Sequence, residues 1–112
     1  MSNARVFNIA LGSVNGKMKL WGREVGVKRL DTVVKEIGLK LDQHDIIKID
    51  VEGMAFDVLK GAVKTLERSR PKLLIELHPR TSEEGLKNFL KNLRYKVTSP
   101  SKYFVIAEFQ RI

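Results

Sequence analysis

The stretch "DIIKIDVEGMAFDVLKGA", residues 45–62, decides how the fold is interpreted. Ile46, Ile47, Ile49 and Val51 form an apolar run rather than a strict alternation, which is typical of a parallel strand covered on both faces. Apolar residues then recur at helical spacing over roughly residues 54–68. The stretch therefore predicts a central strand followed by one crossover helix.

The sequence after this stretch repeats the same alternation. "PKLLIELH" (71–78) predicts a second buried strand, and Thr81 with Glu84 has capping-box spacing ahead of an amphipathic helix. "YKVTSPSKYFVIAEFQ" (95–110) predicts two strands around a short loop, and hence a C-terminal antiparallel hairpin. Alternating strands and helices predict an α/β fold with a mostly parallel sheet and right-handed crossovers.

The sequence before the stretch contains two short strand patterns and one helix pattern. "RVFNIAL" (5–11) and "GKMKLWG" (16–22) flank the turn formers of "GSVNG", which predicts an N-terminal hairpin. "LDTVVKEIG" (30–38) predicts a short amphipathic helix that ends at Gly38, with Asp31 favourably placed in its first turn.

Length and composition indicate one globular domain over residues 1–112, with a single core. No apolar run approaches the roughly 20 residues of a membrane span, and no signal peptide is recognisable, so a cytoplasmic protein without a membrane partner is expected. The net charge is +8. Because the Lys and Arg residues are scattered, with no run of five, a solvated surface is favoured and a nucleic-acid partner is not expected.

Acidic residues and a histidine follow the two buried strands. Asp50 and Glu52 end the first strand, and Glu76 and His78 end the second. The carboxyl ends of parallel strands share one rim of a sheet, where ligands bind. Asp50 and Glu52 could orient a hydroxyl or amine, or act as a general base. The structural alternative is that one of them caps the helix beginning near Met54.

Two further alternatives concern the second strand. Glu76 lies among apolar neighbours and could pair with Lys48 across adjacent strands. His78 lacks the histidine partners of ordinary metal sites, so no metal site is predicted. Two carboxylates and one histidine on one rim nevertheless permit a weak cation site.

The blocks "IIKIDVEG", "FDVLKGA" and "PKLLIELH", in this order and spacing, resemble the FkbM-type family of S-adenosylmethionine-dependent methyltransferases. Upstream, "VFNIALG", "NGKMKLWG" and "VKRLDTVV" extend the resemblance to about residues 6–97. It implies a partial Rossmann-like methyltransferase sheet of order 3-2-1-4-5-7-6. "RVFNIAL" would be its third strand, "DIIKIDV" its fourth and "KLLIEL" its fifth, with the tail as the sixth and seventh. The single domain 1–112 would then be the second half of that fold.

The resemblance also implies a function and a set of site residues. The activity would be S-adenosylmethionine-dependent O-methyl transfer to a small metabolite or sugar hydroxyl, with Asp50 and Glu52 catalytic and Gly53, Glu76 and His78 binding the acceptor. The family's cofactor motif lies mainly on strands 1 and 2, and nothing in this sequence matches it. Cofactor-binding residues are therefore unassigned, and the chain alone is expected to be incomplete or inactive.

Two departures from the family affect this interpretation. Ala55 stands where the family usually has a glutamate. The missing cofactor motif also supports an alternative function, a non-catalytic binding or assembly module derived from the methyltransferase fold.

The missing first strand would leave an exposed edge along residues 45–51. Three arrangements could cover it: the N-terminal hairpin of the same chain, a second copy in a homodimer, or a complementing N-terminal half on a separate chain. The homodimer is favoured because it needs no second gene product.

Overall fold

The computed structural model describes residues 3–50, 54–78 and 83–110. Its strands form two sheets, and its helices pack against them. In chain order the elements are β1 (Ala10–Leu11), β2 (Gly16–Leu20), β3 (Arg23–Lys28), α1 (Leu30–Ile37), β4 (Ile46–Ile49), α2 (Ala55–Lys60), α3 (Val63–Ser69), β5 (Lys72–Glu76), α4 (Glu83–Asn92), β6 (Tyr95–Ser101) and β7 (Phe104–Phe109).

The first sheet has the order β1-β3-β2, with β1 parallel to β3 and β2 antiparallel to it. Its hairpin turns at Trp21 and Gly22, whose φ angles are 48° and 75°. Two positive φ angles in a two-residue loop suit the right-handed twist of the paired strands. An N-terminal hairpin therefore exists, but the predicted pairing of 5–11 with 16–22 is wrong. The segment 16–22 forms β2, which pairs with β3, and the segment 5–11 forms only the two-residue β1. Asn15 lies in a bend between β1 and β2, not in the hairpin turn, and its side-chain oxygen accepts a hydrogen bond from the backbone N–H of Arg29.

The second sheet has the order β4-β5-β7-β6. This order reproduces the 4-5-7-6 part of the predicted sheet, and the C-terminal antiparallel hairpin is confirmed as β6 and β7. The prediction of a mostly parallel sheet is not confirmed. Beyond the parallel pairs β4–β5 and β1–β3, the pairings in the described residues are antiparallel. Two of them, β2–β3 and β6–β7, are hairpins closed by short loops, and the C-terminal hairpin places β7 antiparallel to β5.

One face of the second sheet carries the core. Leu73 and Ile75 of β5 are buried there together with residues of α2, α3 and α4. Tyr95 of β6 is also buried, and its hydroxyl donates a hydrogen bond to the Pro71 carbonyl oxygen at 2.8 Å; burial raises the pKa of the Tyr95 phenol. Successive side chains alternate between faces. Glu76 therefore points to the face opposite Ile75.

The predicted single helix over 54–68 is wrong, because the chain forms two helices that are separated at Gly61 and Ala62. A Cβ atom added at Gly61 would overlap the carbonyl oxygen of Gly12, so the backbones of the two glycines are in close contact. The Asp31 backbone N–H donates to the Gly61 carbonyl oxygen at 2.9 Å. The break is therefore the point at which the first sheet and α1 dock onto the helix pair.

Helix α1 confirms the prediction for residues 30–38, with Gly38 at its C-terminus at a φ of 65°. Asp31 lies in its first turn as expected, but its carboxylate serves another helix. It accepts hydrogen bonds from the backbone N–H of Lys64 at 3.1 Å and of Thr65 at 2.8 Å. These N–H groups belong to the first turn of α3, so Asp31 caps that helix from more than 30 residues away.

Among the described residues, no helix has the length and apolar content needed to span a membrane.

Candidate functional site

Three of the residues predicted from the sequence converge at one rim of the second sheet. Asp50 directly follows β4, Glu76 is the last residue of β5, and His78 lies two residues further on. The parallel register pairs Ile49 with Ile75, which sets Asp50 beside Glu76. The Nε2 atom of His78 lies 3.5 Å from Oδ1 of Asp50. We call these three residues the rim triad.

Glu52 and Gly53, the other two predicted site residues, lie outside the described residues. Their assigned roles in catalysis and acceptor binding stay predictions. Thr81, predicted to start the following helix, also lies outside the described residues, although the helix itself is present as α4.

The two carboxyl groups of the rim triad interact directly. The hydrogen bond from Glu76 lowers the pKa of Asp50, assisted by His78 and by the charge of Lys48. The same contact with Asp50, together with partial desolvation, raises the pKa of Glu76. Two adjacent carboxyl groups favour a state that shares one proton. These shifts favour Asp50 as the ionised member of the pair and make Glu76 the easier of the two to protonate.

Two structural alternatives were predicted for the residues of this rim. Lys48 acts on both carboxyl groups through its charge, while the hydrogen-bonding neighbour of Glu76 is Asp50. Met54, at the N-terminus of α2, makes no side-chain cap hydrogen bond. The alternative that Asp50 or Glu52 caps this helix stays a prediction, because Glu52 lies outside the described residues. Asp50 is half exposed and Glu76 and His78 are half-buried, which leaves them open to a ligand.

An apolar cleft of about 870 Å³ leads to Asp50 along the outer edge of β4. The cleft is lined by residues in or next to the first sheet, α1, β4 and α2. These are Ile9, Ala10, Leu11, Leu20, Trp21, Leu30, Leu39, Leu41, Ile46, Ile47, Lys48, Ile49, Asp50, Met54 and Val58. Ile46 is 66% exposed. The prediction that this strand is central and covered on both faces is therefore wrong.

The cleft was missed by sequence reasoning. Its walls come from two sheets, and the only local signal was the exposed-edge argument for residues 45–51. Within the described residues, no strand pairs with the outer edge of β4, and the N-terminal hairpin forms a separate sheet. The hairpin thus does not take the place of the missing first strand.

The rim triad also offers a set of metal-ligand atoms. One oxygen or nitrogen from each of Asp50, Glu76 and His78 lies within 4.8 Å of the other two. The sequence-based prediction of no metal site stays a prediction. No cofactor-binding residue was assigned from the sequence.

An α/β fold with a polar site at the carboxyl ends of adjacent parallel strands is the arrangement of Rossmann-like proteins, methyltransferases among them. The model of the methyltransferase FkbM domain matches residues 7–106. The chain therefore belongs to the FkbM methyltransferase family, which confirms the resemblance.

The chain is also similar to a solved structure, the crystal structure of methyltransferase FkbM from Methylobacillus flagellatus KT. The TM-score is 0.68 with 21% sequence identity, and the alignment covers 94% of this chain and 28% of that chain. At this identity the similarity shows the fold. The chain spans less than a third of the length of that protein. No curated protein matches the chain.

Proposed function

We propose that this chain contributes the acceptor side of an S-adenosylmethionine-dependent methyl transfer to the hydroxyl group of a small metabolite or sugar. The observation that supports this function is the rim triad at the carboxyl ends of β4 and β5, whose Asp50 also lines the apolar cleft. Family membership over residues 7–106 supplies the reaction class.

The chemistry needs an oriented acceptor and one proton acceptor. S-adenosylmethionine, held by residues outside this chain, would supply the methyl group, and the residues of this chain would orient the acceptor hydroxyl and take up its proton. Asp50 is the proposed base, because the neighbouring groups hold it as the carboxylate of the pair. Glu76 and His78 fix its position, and much of the rate gain would come from in-line placement of the reactants.

The cofactor is proposed to bind to residues that this chain does not contain. No pair of the eight glycines in the sequence stands between a buried strand and a helix start at the spacing of a cofactor loop. The chain also corresponds to only 28% of the similar FkbM structure. We infer that the chain alone is incomplete and transfers no methyl group.

Calorimetric titration with S-adenosylmethionine tests this assignment. We expect no saturable heat from the 112-residue chain, and no methyl incorporation into simple sugars from the labelled cofactor. Titration with S-adenosylhomocysteine, which lacks the reactive methyl group, serves as the second ligand. Saturable binding of either compound with a micromolar Kd would contradict a cofactor site outside this chain.

A second candidate, a binding or assembly module, is favoured by the open edge of β4. The Lys72 backbone N–H donates to the Asp45 carbonyl oxygen, and in a parallel pair alternate residues bond to the same neighbour. The backbone groups of Ile46 and Lys48 therefore point away from β5. We propose that a strand of another polypeptide pairs there, from either a second copy or a complementing N-terminal half.

A further inference from the structure

The rim triad contains a ring nitrogen, on His78, that could bind a metal ion and that makes no hydrogen bond within the triad. Nε2 of His78 has almost no solvent-accessible area and has no hydrogen-bond partner within the described residues. Its distance of 3.5 Å from Oδ1 of Asp50 is beyond a good hydrogen bond. A buried ring nitrogen without a partner is a costly feature unless something binds it.

The spacing of the donors suits a single cation. Ligands bonded to one ion at about 2.1 Å lie about 3 Å apart when they are adjacent and about 4.2 Å apart when they are opposite. The Asp50–His78 separation of 3.5 Å falls between these values. The three ligand atoms lie within 4.8 Å of one another, so a small inward movement of the side chains would bring all three to bonding distance of one ion.

The donor types restrict which cation fits. Mg²⁺ and Ca²⁺ take oxygen ligands almost exclusively, whereas imidazole together with carboxylates suits Mn²⁺ and Zn²⁺. Three protein ligands leave at least one coordination position open, which is characteristic of catalytic rather than structural sites. The donors lie on two adjacent strand ends, β4 and β5, so the sheet fixes their relative positions.

We propose that Asp50, Glu76 and His78 bind one divalent transition-metal cation, Mn²⁺ or Zn²⁺, through three side chains with an open position for a hydroxyl ligand. Cation binding is independent of the proposed methyl transfer. The further idea that the bound cation holds the acceptor hydroxyl and lowers the pKa of that hydroxyl rests on the proposed methyl-transfer function.

Lys48 is the charged neighbour that opposes this binding. Its charge reaches both carboxyl groups, and it lines the same cleft as Asp50. Replacement of Lys48 with methionine keeps the length of the side chain and removes the charge. The Lys48→Met variant should bind the cation about threefold more tightly at low ionic strength.

The chain has two histidines, so the unmodified protein supplies its own control. In NMR spectra of labelled protein, substoichiometric Mn²⁺ should broaden the ring signals of His78 and leave those of His44 sharp. His44 is exposed and is not part of the triad. Equal broadening of both rings, or broadening of neither, would overturn the proposal.

Calorimetry with Zn²⁺ gives the affinity. The variants His78→Ala, Asp50→Asn and Glu76→Gln should each bind at least about tenfold more weakly, while His44→Ala should match the unmodified chain. Circular dichroism shows whether each variant is folded. An affinity unchanged in folded His78→Ala would overturn the proposal, and neither measurement uses S-adenosylmethionine, so a failure here is distinct from a failure of the proposed function.

Discussion

Replacing Asp31 with alanine is expected to lower the free energy of unfolding by about 3 kcal/mol. The Asp31 carboxylate accepts hydrogen bonds from the backbone N–H groups of Lys64 and Thr65 and from the Thr65 hydroxyl. Its side chain is only 10% exposed, so water cannot readily replace it. The alanine variant leaves the first turn of α3 without acceptors and loosens the contact between α1 and α3. Urea denaturation followed by circular dichroism measures the change.

Two matched variants separate this role from a general charge effect. Asp31→Asn keeps an oxygen acceptor without the charge, so its free energy of unfolding should fall by less than that of Asp31→Ala. Glu36→Ala, in the same helix, removes an ion pair with Lys28 whose side chains are about half exposed, and it should change stability by less than about 1 kcal/mol. If Asp31→Ala and Glu36→Ala had the same free energy of unfolding, the conclusion that Asp31 caps α3 would be wrong.

Replacing Gly61 with alanine is expected to destabilise the fold by about 3 kcal/mol, through overlap rather than backbone strain. The φ angle of Gly61 is −80°, which any residue adopts. The added methyl group would meet the Gly12 carbonyl oxygen and the Arg29 Cα atom, both of which are backbone and cannot rotate away. The first sheet would have to move away from the helix pair. Urea denaturation again measures the loss.

Gly26→Ala is the control for this prediction. A Cβ atom at Gly26, in β3, meets nothing within 4 Å. Alanine there should therefore not lower the free energy of unfolding, and it can raise it slightly because alanine restricts the unfolded chain. Equal stability of Gly61→Ala and Gly26→Ala would show that the Gly12–Gly61 contact does not hold the two parts of the domain together.

These contacts also explain which parts of the fold could be predicted from the sequence. Helix α1 and the strands of the second sheet follow from local periodicity, and the family resemblance supplied their order. The break between α2 and α3 does not follow from periodicity, because apolar residues continue across it. It depends on Gly12 and Asp31, which are distant in sequence. Long-range contacts of this kind override a helical pattern.

The first sheet shows the same limit at a turn. "GSVNG" contains strong turn formers, but the hairpin turns at Trp21 and Gly22. A tryptophan at positive φ is a poor local signal for a turn. The pairing of β2 with β3 therefore became clear only from the structure.

The candidate site was predictable in its location but not in its interactions. Strand ends in a parallel pair share a rim, which was enough to bring Asp50, Glu76 and His78 together. The contact between Asp50 and Glu76 depends on the register of β4 against β5, which sequence does not specify. Sequence reasoning considered Lys48 as the partner of Glu76, whereas in the structure Lys48 acts only through its charge.

The rim triad and the open edge of β4 both fit the proposal that this chain is the acceptor side of a larger sheet. The cleft beside β4 lies where the implied order places a first strand, and Asp50 is one of its lining residues. A strand added there would complete the wall beside the triad. The proposed function and the proposed partner therefore meet at the same four-residue strand, Ile46–Ile49.

Amide hydrogen exchange along β4, measured by NMR on the isolated chain at several concentrations, tests this account most directly. We predict slow exchange at Ile47 and Ile49, which bond to β5, and fast exchange at Ile46 and Lys48 in dilute protein. Protection of Ile46 and Lys48 that grows with concentration would identify a second copy as the added strand. Strong protection of all four amides that is independent of concentration, in a protein that light scattering shows to be a monomer, would contradict the account, because the edge would then be covered by its own chain.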